Sequence, residues 1–190
     1  MVENSVKTIP QCSLLISSCD TYSDLWEPFF NLLEIYWPDC SFPVLLITEE
    51  KVFNKVGIVS TNIGPDLDWS TLLQKSLDMV ETPYVLFMLE DFFLRESVNT
   101  KKIQSILKIM DVEKIDMVRL IPQSNKAKSV IDNFHSLSVI SHKSRYRVST
   151  QAGLWNVKQL QSIIKLGESA WEFEINGTQR MCKDKLSKFM

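Results

Sequence analysis

The chain has 190 residues, 45% of them hydrophobic and 23% charged, and its 21 basic and 23 acidic side chains give a formal charge of -2. That length and balance fit one compact domain with a substantial core and exclude a basic field able to hold nucleic acid by neutralising phosphates. No apolar run approaches the roughly 20 residues of a membrane span, and the start, with Glu3 and Lys7 before Pro10, lacks a signal-peptide pattern, so the expected location is the cytoplasm.

In chain order, residues 13–18 read as a buried strand. Residues 25–36 form a helix with Leu25, Phe29, Leu32 and Tyr36 on one face and Ser23 or Asp24 as its cap, and residues 42–48 a second strand. Residues 56–60 make a short third strand, and residues 70–80 a helix opened by Asp68 or Ser70, with Leu73, Leu77 and Val80 at helical spacing. A fourth strand, 84–89, is apolar throughout and ends on Glu90 and Asp91. Behind Thr100, the spacing of Ile103, Ile106, Leu107 and Met110 predicts a helix that returns to a strand at 117–121. After Pro122 the pattern becomes irregular, with short, antiparallel strands expected at 137–140 and 146–149. Asn156 then caps a helix over 157–166 that Gly167 ends in a left-handed conformation.

Strands alternating with helices through the first two thirds predict an α/β protein with a mostly parallel sheet and right-handed crossovers. Five glycines and seven prolines leave no linker, low-complexity tract or repeat to divide it. Cys12, Cys19, Cys40 and Cys182 lack metal-site spacing and read as reduced structural thiols. His135 and His142, with no acid at ligand spacing, are not assigned to a metal.

Two adjacent carboxylates at the carboxyl end of a buried strand stand where an open α/β sheet places ligand chemistry, and a hard divalent cation is the usual reason to gather them there. The bland alternative is the polar start of a loop.

The strand ending at Cys19-Asp20, the strand running into Asn62-Ile63-Gly64, the helix opened by Trp69 and the stretch PYVLFMLED together resemble the nucleotide-sugar half of the GT-A glycosyltransferases, of the family-two type. QAGLWN at 151–156 and WEFE at 171–174 resemble segments of bacterial glycosyltransferases of this kind, extending the likeness over most of the chain. The resemblance implies a GT-A-like domain with its nucleotide-sugar half at about residues 11–95 and an acceptor-side part at about 96–190, truncated relative to enzymes that continue further.

It also implies a set of roles. Glu90-Asp91 stands where such enzymes keep the Asp-X-Asp motif, Asp91 binding Mn²⁺ or Mg²⁺ that bridges the donor diphosphate and Glu90 facing the ribose or supporting the metal shell. Phe92 fills the place of the second metal-binding acid, which leaves the ion with fewer protein ligands. Asp20 would read the donor's base, against an alternative as a turn residue. Asp68 would contact the nucleotide, against an alternative as a helix cap. Trp69 reads as core before stacking platform. An inverting transfer needs a base for the acceptor hydroxyl. Glu172 is the first candidate, because flanking aromatics would raise its pKa by desolvation, and Glu174 is the second. Arg180 could pair with the diphosphate, with a surface arginine as the plainer reading.

The expected activity is therefore metal-assisted transfer of a sugar from a nucleoside-diphosphate donor to a hydroxyl of a glycan or lipid-linked acceptor, in polysaccharide biosynthesis. Lys143, Arg145 and Arg147, alternating along the expected strand, offer peripheral contact with a membrane surface or anionic acceptor, against a solvated strand face. The alternatives are a non-catalytic protein of the same fold and a nucleotidyltransferase. Against the latter, SSCDTYSD after the first strand has neither glycine nor lysine to hold a triphosphate.

Overall fold

A computed structural model describes residues 11–121, 137–184 and 187–190. In chain order the elements are β1 (Cys12–Ser17), a 3-10 helix (Asp20–Leu25), α1 (Trp26–Tyr36), β2 (Val44–Leu46), β3 (Ile58–Ser60), α2 (Trp69–Asp78), β4 (Tyr84–Leu89), α3 (Thr100–Glu113), β5 (Met117–Arg119), β6 (Gly153–Asn156), α4 (Val157–Ile163) and α5 (Ala170–Lys183). The strands make one sheet in the order β3-β2-β1-β4-β6-β5. β1 pairs in parallel with β2 and β4, while β6 runs antiparallel to both β4 and β5.

Every residue of β1 is buried, as are the first five of β4, because helices cover both faces of the sheet centre and a doubly covered strand reads as a continuous apolar run. Alternate side chains then feed two cores. Leu14, Ile16, Leu86 and Met88 meet Phe29, Phe30, Ile106 and Met110 of α1 and α3 on one face. Leu15, Val85, Phe87 and Trp155 meet Leu73, Leu77, Leu160 and Phe173 of α2, α4 and α5 on the other. Ser17 of β1 lies opposite Leu89 of β4, so both central strands end together and Glu90-Asp91 emerges at their carboxyl edge.

Several expectations need correction. Residues 137–140 and 146–149 do not form strands. The latter run beside α5, where the Val148 amide donates to Thr178 Oγ1 at 3.0 Å. The antiparallel strand is instead β6, whose last residue, Asn156, also caps α4 by accepting from the Gln159 amide. α4 ends at Ile163 because Ile164 turns extended (ψ 134), so Gly167, with φ 87, shapes the turn into α5 rather than capping α4. α1 is entered from the 3-10 helix, and Leu25 stands at its N-cap without a side-chain bond, so neither Ser23 nor Asp24 caps it. Arg147 does not lie on a solvated face. It is 1% exposed, donates to the carbonyls of Ile140 and Ser187, and covers the Phe189 ring at 4.5 Å. His135 falls outside the described residues.

Candidate functional site

A cleft of about 560 Å³ opens at the carboxyl edge of β1 and β4. Ser17, Ser18 and Tyr22 line one side, Trp69 and Ala170 another, and Glu49, Glu90 and Asp91 supply its charge. The sequence builds this wall through two indoles. Trp26 Nε1 donates to Ser18 Oγ at 2.8 Å and Trp69 Nε1 to Ser17 Oγ at 2.9 Å, locking the end of β1 against α1 and α2. Trp69, half-buried and 5.3 Å from the Phe173 ring, belongs both to the core edge and to the cleft.

Glu90 is 9% exposed, and burial, followed by the neighbouring charge of Asp91, pushes its carboxyl above the ordinary value. Asp91 is exposed and lines this cleft together with a second, mostly apolar cavity of about 870 Å³ beside Met88, Phe92 and Leu120. Among the described residues no Lys or Arg forms an ion pair with either acid, and no basic residue lines the cleft. Its three acids therefore repel a phosphate unless a cation enters with it. The described residues contain no cluster of three or more His, Cys, Asp or Glu side chains set to hold a metal. The acid pair fits a Mg²⁺-like ion that takes one or two protein carboxylates and completes its shell with substrate phosphates and water.

Asp20 is not directed into the cleft. Its Oδ1 accepts from the Glu49 amide at 3.0 Å, its Oδ2 from the Glu50 and Lys51 amides at 2.9 and 2.8 Å, and Glu49 Oε2 answers by accepting from the Asp20 amide. Burial pushes the Asp20 carboxyl up, but those amides and the Lys51 charge outweigh it and hold the group below its ordinary range. The bracket clamps the turn after β1 to the loop after β2. Glu49 is thus the acid that lines this end of the cleft, a residue sequence reasoning did not single out because nothing local marks it.

Asp68 caps α2, accepting from the Thr71 amide and hydroxyl, from Ser70 Oγ, and from the Gly167 amide at 3.2 Å. The Ser70 and Thr71 hydroxyls, above all, hold its carboxyl well below the usual carboxylate range. The Ser70 amide bonds the Glu168 carbonyl and the Glu168 amide bonds Ser70 Oγ, so the start of α2 is riveted to the turn before α5. This joint sets Trp69 and Ala170 into one cleft wall.

The two candidate bases sit on different sides of α5. Glu172 closes a capping box with Ser169, and hydrogen bonds from the Ser169 amide and hydroxyl lower its pKa, contrary to the expected desolvation. At about 100° per residue it faces solvent, roughly opposite Glu174 on the helix. Glu174 stands one turn beyond the cleft-lining Ala170, on the same face. Its Oε1 accepts from Ser149 Oγ at 3.0 Å, the Thr150 amide at 2.6 Å and Thr150 Oγ1 at 3.0 Å. The Arg119 guanidinium acts on Glu174 through its charge, and no hydrogen bond to Oε2 is found among the described residues. Arg180 is committed to Glu168, with paired contacts of 2.7 Å, and to the Ile163 carbonyl at 2.8 Å.

No family model matches the chain, and no curated protein matches it. Solved structures share its fold. S. aureus TarS 1-349 in complex with UDP superposes with a TM-score of 0.60 at 12% identity, over 95% of this chain and 60% of that one. A cytidylyltransferase from Leptospira borgpetersenii serovar Hardjo-bovis gives 0.57 at 11%, over 94% and 74%. The galactosyltransferase LgtC, in complex with donor and acceptor sugar analogues, gives 0.50 at 11%, over 93% and 67%. The chain spans less than two thirds of the length of the TarS structures it matches. The fold is GT-A-like, an α/β architecture that glycosyltransferases share with a cytidylyltransferase. Among the described residues no helix is long and apolar enough to cross a membrane.

Proposed function

We propose that this chain transfers a sugar from a nucleoside-diphosphate donor to a hydroxyl of a glycan or lipid-linked acceptor, with inversion and with help from Mn²⁺ or Mg²⁺, in polysaccharide assembly. The observation that carries the reading is the pair Glu90-Asp91, which has no ion-paired Lys or Arg among the described residues and opens from the central strand into a cleft lined, among those residues, by acids and no bases. Such a cleft suits a diphosphate only when a cation accompanies it, and a cation there would offset the charge that develops on the departing nucleoside diphosphate.

In this reading Asp91 is the principal metal ligand and Glu90 its buried support. Tyr22, Trp69 and Glu49 border the space for the nucleoside, whereas Asp20 and Asp68 shape the cleft from outside it. Glu174 is the base: it is fixed by Ser149 and Thr150 and shares a helix face with the cleft wall, while Glu172 is spent on its cap.

Calorimetry and thermal shift with UDP, CDP, GDP, ADP and dTDP, each with and without Mn²⁺, test the donor half. One diphosphate should stabilise the protein only with the metal, and Asp91→Ala should lose the effect. No response to any of them removes the reading.

The likeness to a cytidylyltransferase favours nucleotidyl transfer as the second reading. Against it, Lys51, beside the turn after β1, spends its ammonium on the Asp20 carbonyl and Ser23 Oγ at 2.9 and 2.6 Å, and among the described residues no base lines the cleft for a triphosphate. Release of pyrophosphate from CTP in the presence of a phosphorylated alcohol would favour that second reading.

A further inference from the structure

We propose that Tyr146 and Trp171 form a stacking platform that seats a pyranose ring of the acceptor beside Glu174, an inference that rests on the transferase reading above. Trp171 is 64% exposed and Tyr146 37% exposed, although large aromatics contribute most when buried. They are not scattered: their ring centroids lie 6.4 Å apart with planes inclined at 64°, which makes an open corner rather than a filled core contact.

Tyr146 is also held against its backbone preference. Its φ of 51 is left-handed, uncommon for a bulky residue, and such conformations persist where the surroundings over-determine them, often at ligand sites. Here the restraint comes from beneath, where the Arg119 guanidinium donates to the Tyr146 carbonyl, and from the side, where Trp171 meets the ring.

Position on α5 supplies the link to chemistry. Trp171 and Glu174 are three residues apart and are neighbours on the helix surface, and Ala170, four residues before Glu174, lines the cleft. Moving along this side of α5 one therefore meets cleft, carboxylate and aromatic corner in contiguity. A pyranose presents an apolar face of C–H bonds that suits an aromatic plane and a rim of hydroxyls that suits a carboxylate. One ring placed in the corner would direct a rim hydroxyl toward Glu174 while the cleft holds the donor.

Ile175 at 38% exposure, with Lys143 and Arg145 exposed nearby in sequence to Tyr146, could instead suggest an anionic lipid surface. Glu172 and Glu174 flank Trp171 on its own helix and would oppose that contact, whereas a neutral sugar tolerates them.

The test uses the full chain labelled with 5-fluorotryptophan and followed by ¹⁹F NMR, the Trp171 signal being assigned by its loss in Trp171→Ala. Lactose, maltose and chitobiose are titrated with and without UDP and Mn²⁺. At least one disaccharide should shift that signal, and Tyr146→Ala should weaken the titration about tenfold without altering the Mn²⁺-dependent nucleotide response. The inference falls if no disaccharide moves the signal, or if Trp171→Ala binds sugar undiminished. It falls equally if the signal answers instead to phosphatidylglycerol vesicles, or to dilution of the protein as self-association would require. Nucleotide binding that survives such a failure leaves the transferase reading standing. Sugar binding without any nucleotide response removes that reading and leaves the platform.

Discussion

Replacing Glu174 by Gln separates chemistry from scaffolding, because the exchange keeps the shape of the side chain and removes its charge. The three donors on Oε1, from Ser149 and Thr150, can all be retained by the amide oxygen of Gln. Each bond then falls from a charge-assisted to a neutral one, a loss of about 1 kcal/mol apiece, so stability should drop by about 3 kcal/mol at most. Loss of a general base costs about 10²- to 10⁴-fold in rate, or about 3–5 kcal/mol of transition-state stabilisation. Glu174 does not line the donor cleft, so affinity for the metal–nucleotide pair should be unchanged. Glu172→Gln is the control. Gln serves as well as Glu at that position of a capping box, so both melting temperature and transfer should stay near wild type. The assay is release of nucleoside diphosphate at saturating donor and acceptor, beside a thermal melt of each variant. Full turnover by Glu174→Gln, or loss of turnover by a normally folded Glu172→Gln, refutes the assignment of the base.

The buried acid and the helix cap predict opposite pH behaviour. Glu90 has a raised pKa, first from burial and then from Asp91, so its contribution to stability is intact below the ordinary carboxylate pKa and is lost as pH rises through the raised native value. Glu90→Gln should accordingly melt above wild type at neutral pH, with the gap closing in acid, and an unchanged or lower melting temperature at pH 7 would contradict this. Asp68 has a lowered pKa, chiefly from the Ser70 and Thr71 hydroxyls, so its contribution is intact above the ordinary carboxylate value and is lost as pH falls toward the depressed native one. Asp68→Ala should cost about 1–2 kcal/mol at neutral pH, with the deficit shrinking as acid titrates the wild type. Equal melting temperatures at pH 7 would show that neither the cap on α2 nor the tie to Gly167 carries weight.

The central half of this fold was legible because its strands are buried on both faces and its helices carry strong periodicity. Residues 84–89 announce β4, Asp68 announces α2, and the acids after Leu89 announce the edge where the cleft opens. Long-range pairing left no local trace. Nothing in the turn at Asp20 shows that its carboxylate will be consumed by amides about thirty residues away, and nothing around Glu49 shows that it will line the cleft instead. β6 was missed as a strand because four residues ending in a helix cap give period-two reasoning almost nothing to count. WEFE misled for a related reason: flanking aromatics suggested a desolvated Glu172, but on a helix the residues on either side in sequence point away, toward the core at Phe173 and toward solvent at Trp171.

The antiparallel direction of β6 turns the residues that grip Glu174 toward the edge where Glu90-Asp91 emerges. Gly153 pairs with Phe87, and because the two strands run oppositely, the residues before Gly153 advance along the sheet in the direction that β4 takes to reach Glu90. Ser149 and Thr150, which grip Glu174, therefore lie toward the carboxyl edge where the acid pair emerges. A parallel strand in the same place would carry them to the far edge and leave Glu174 with no route to the cleft. Four residues of reversed strand thus decide which edge of the sheet the residues holding Glu174 approach.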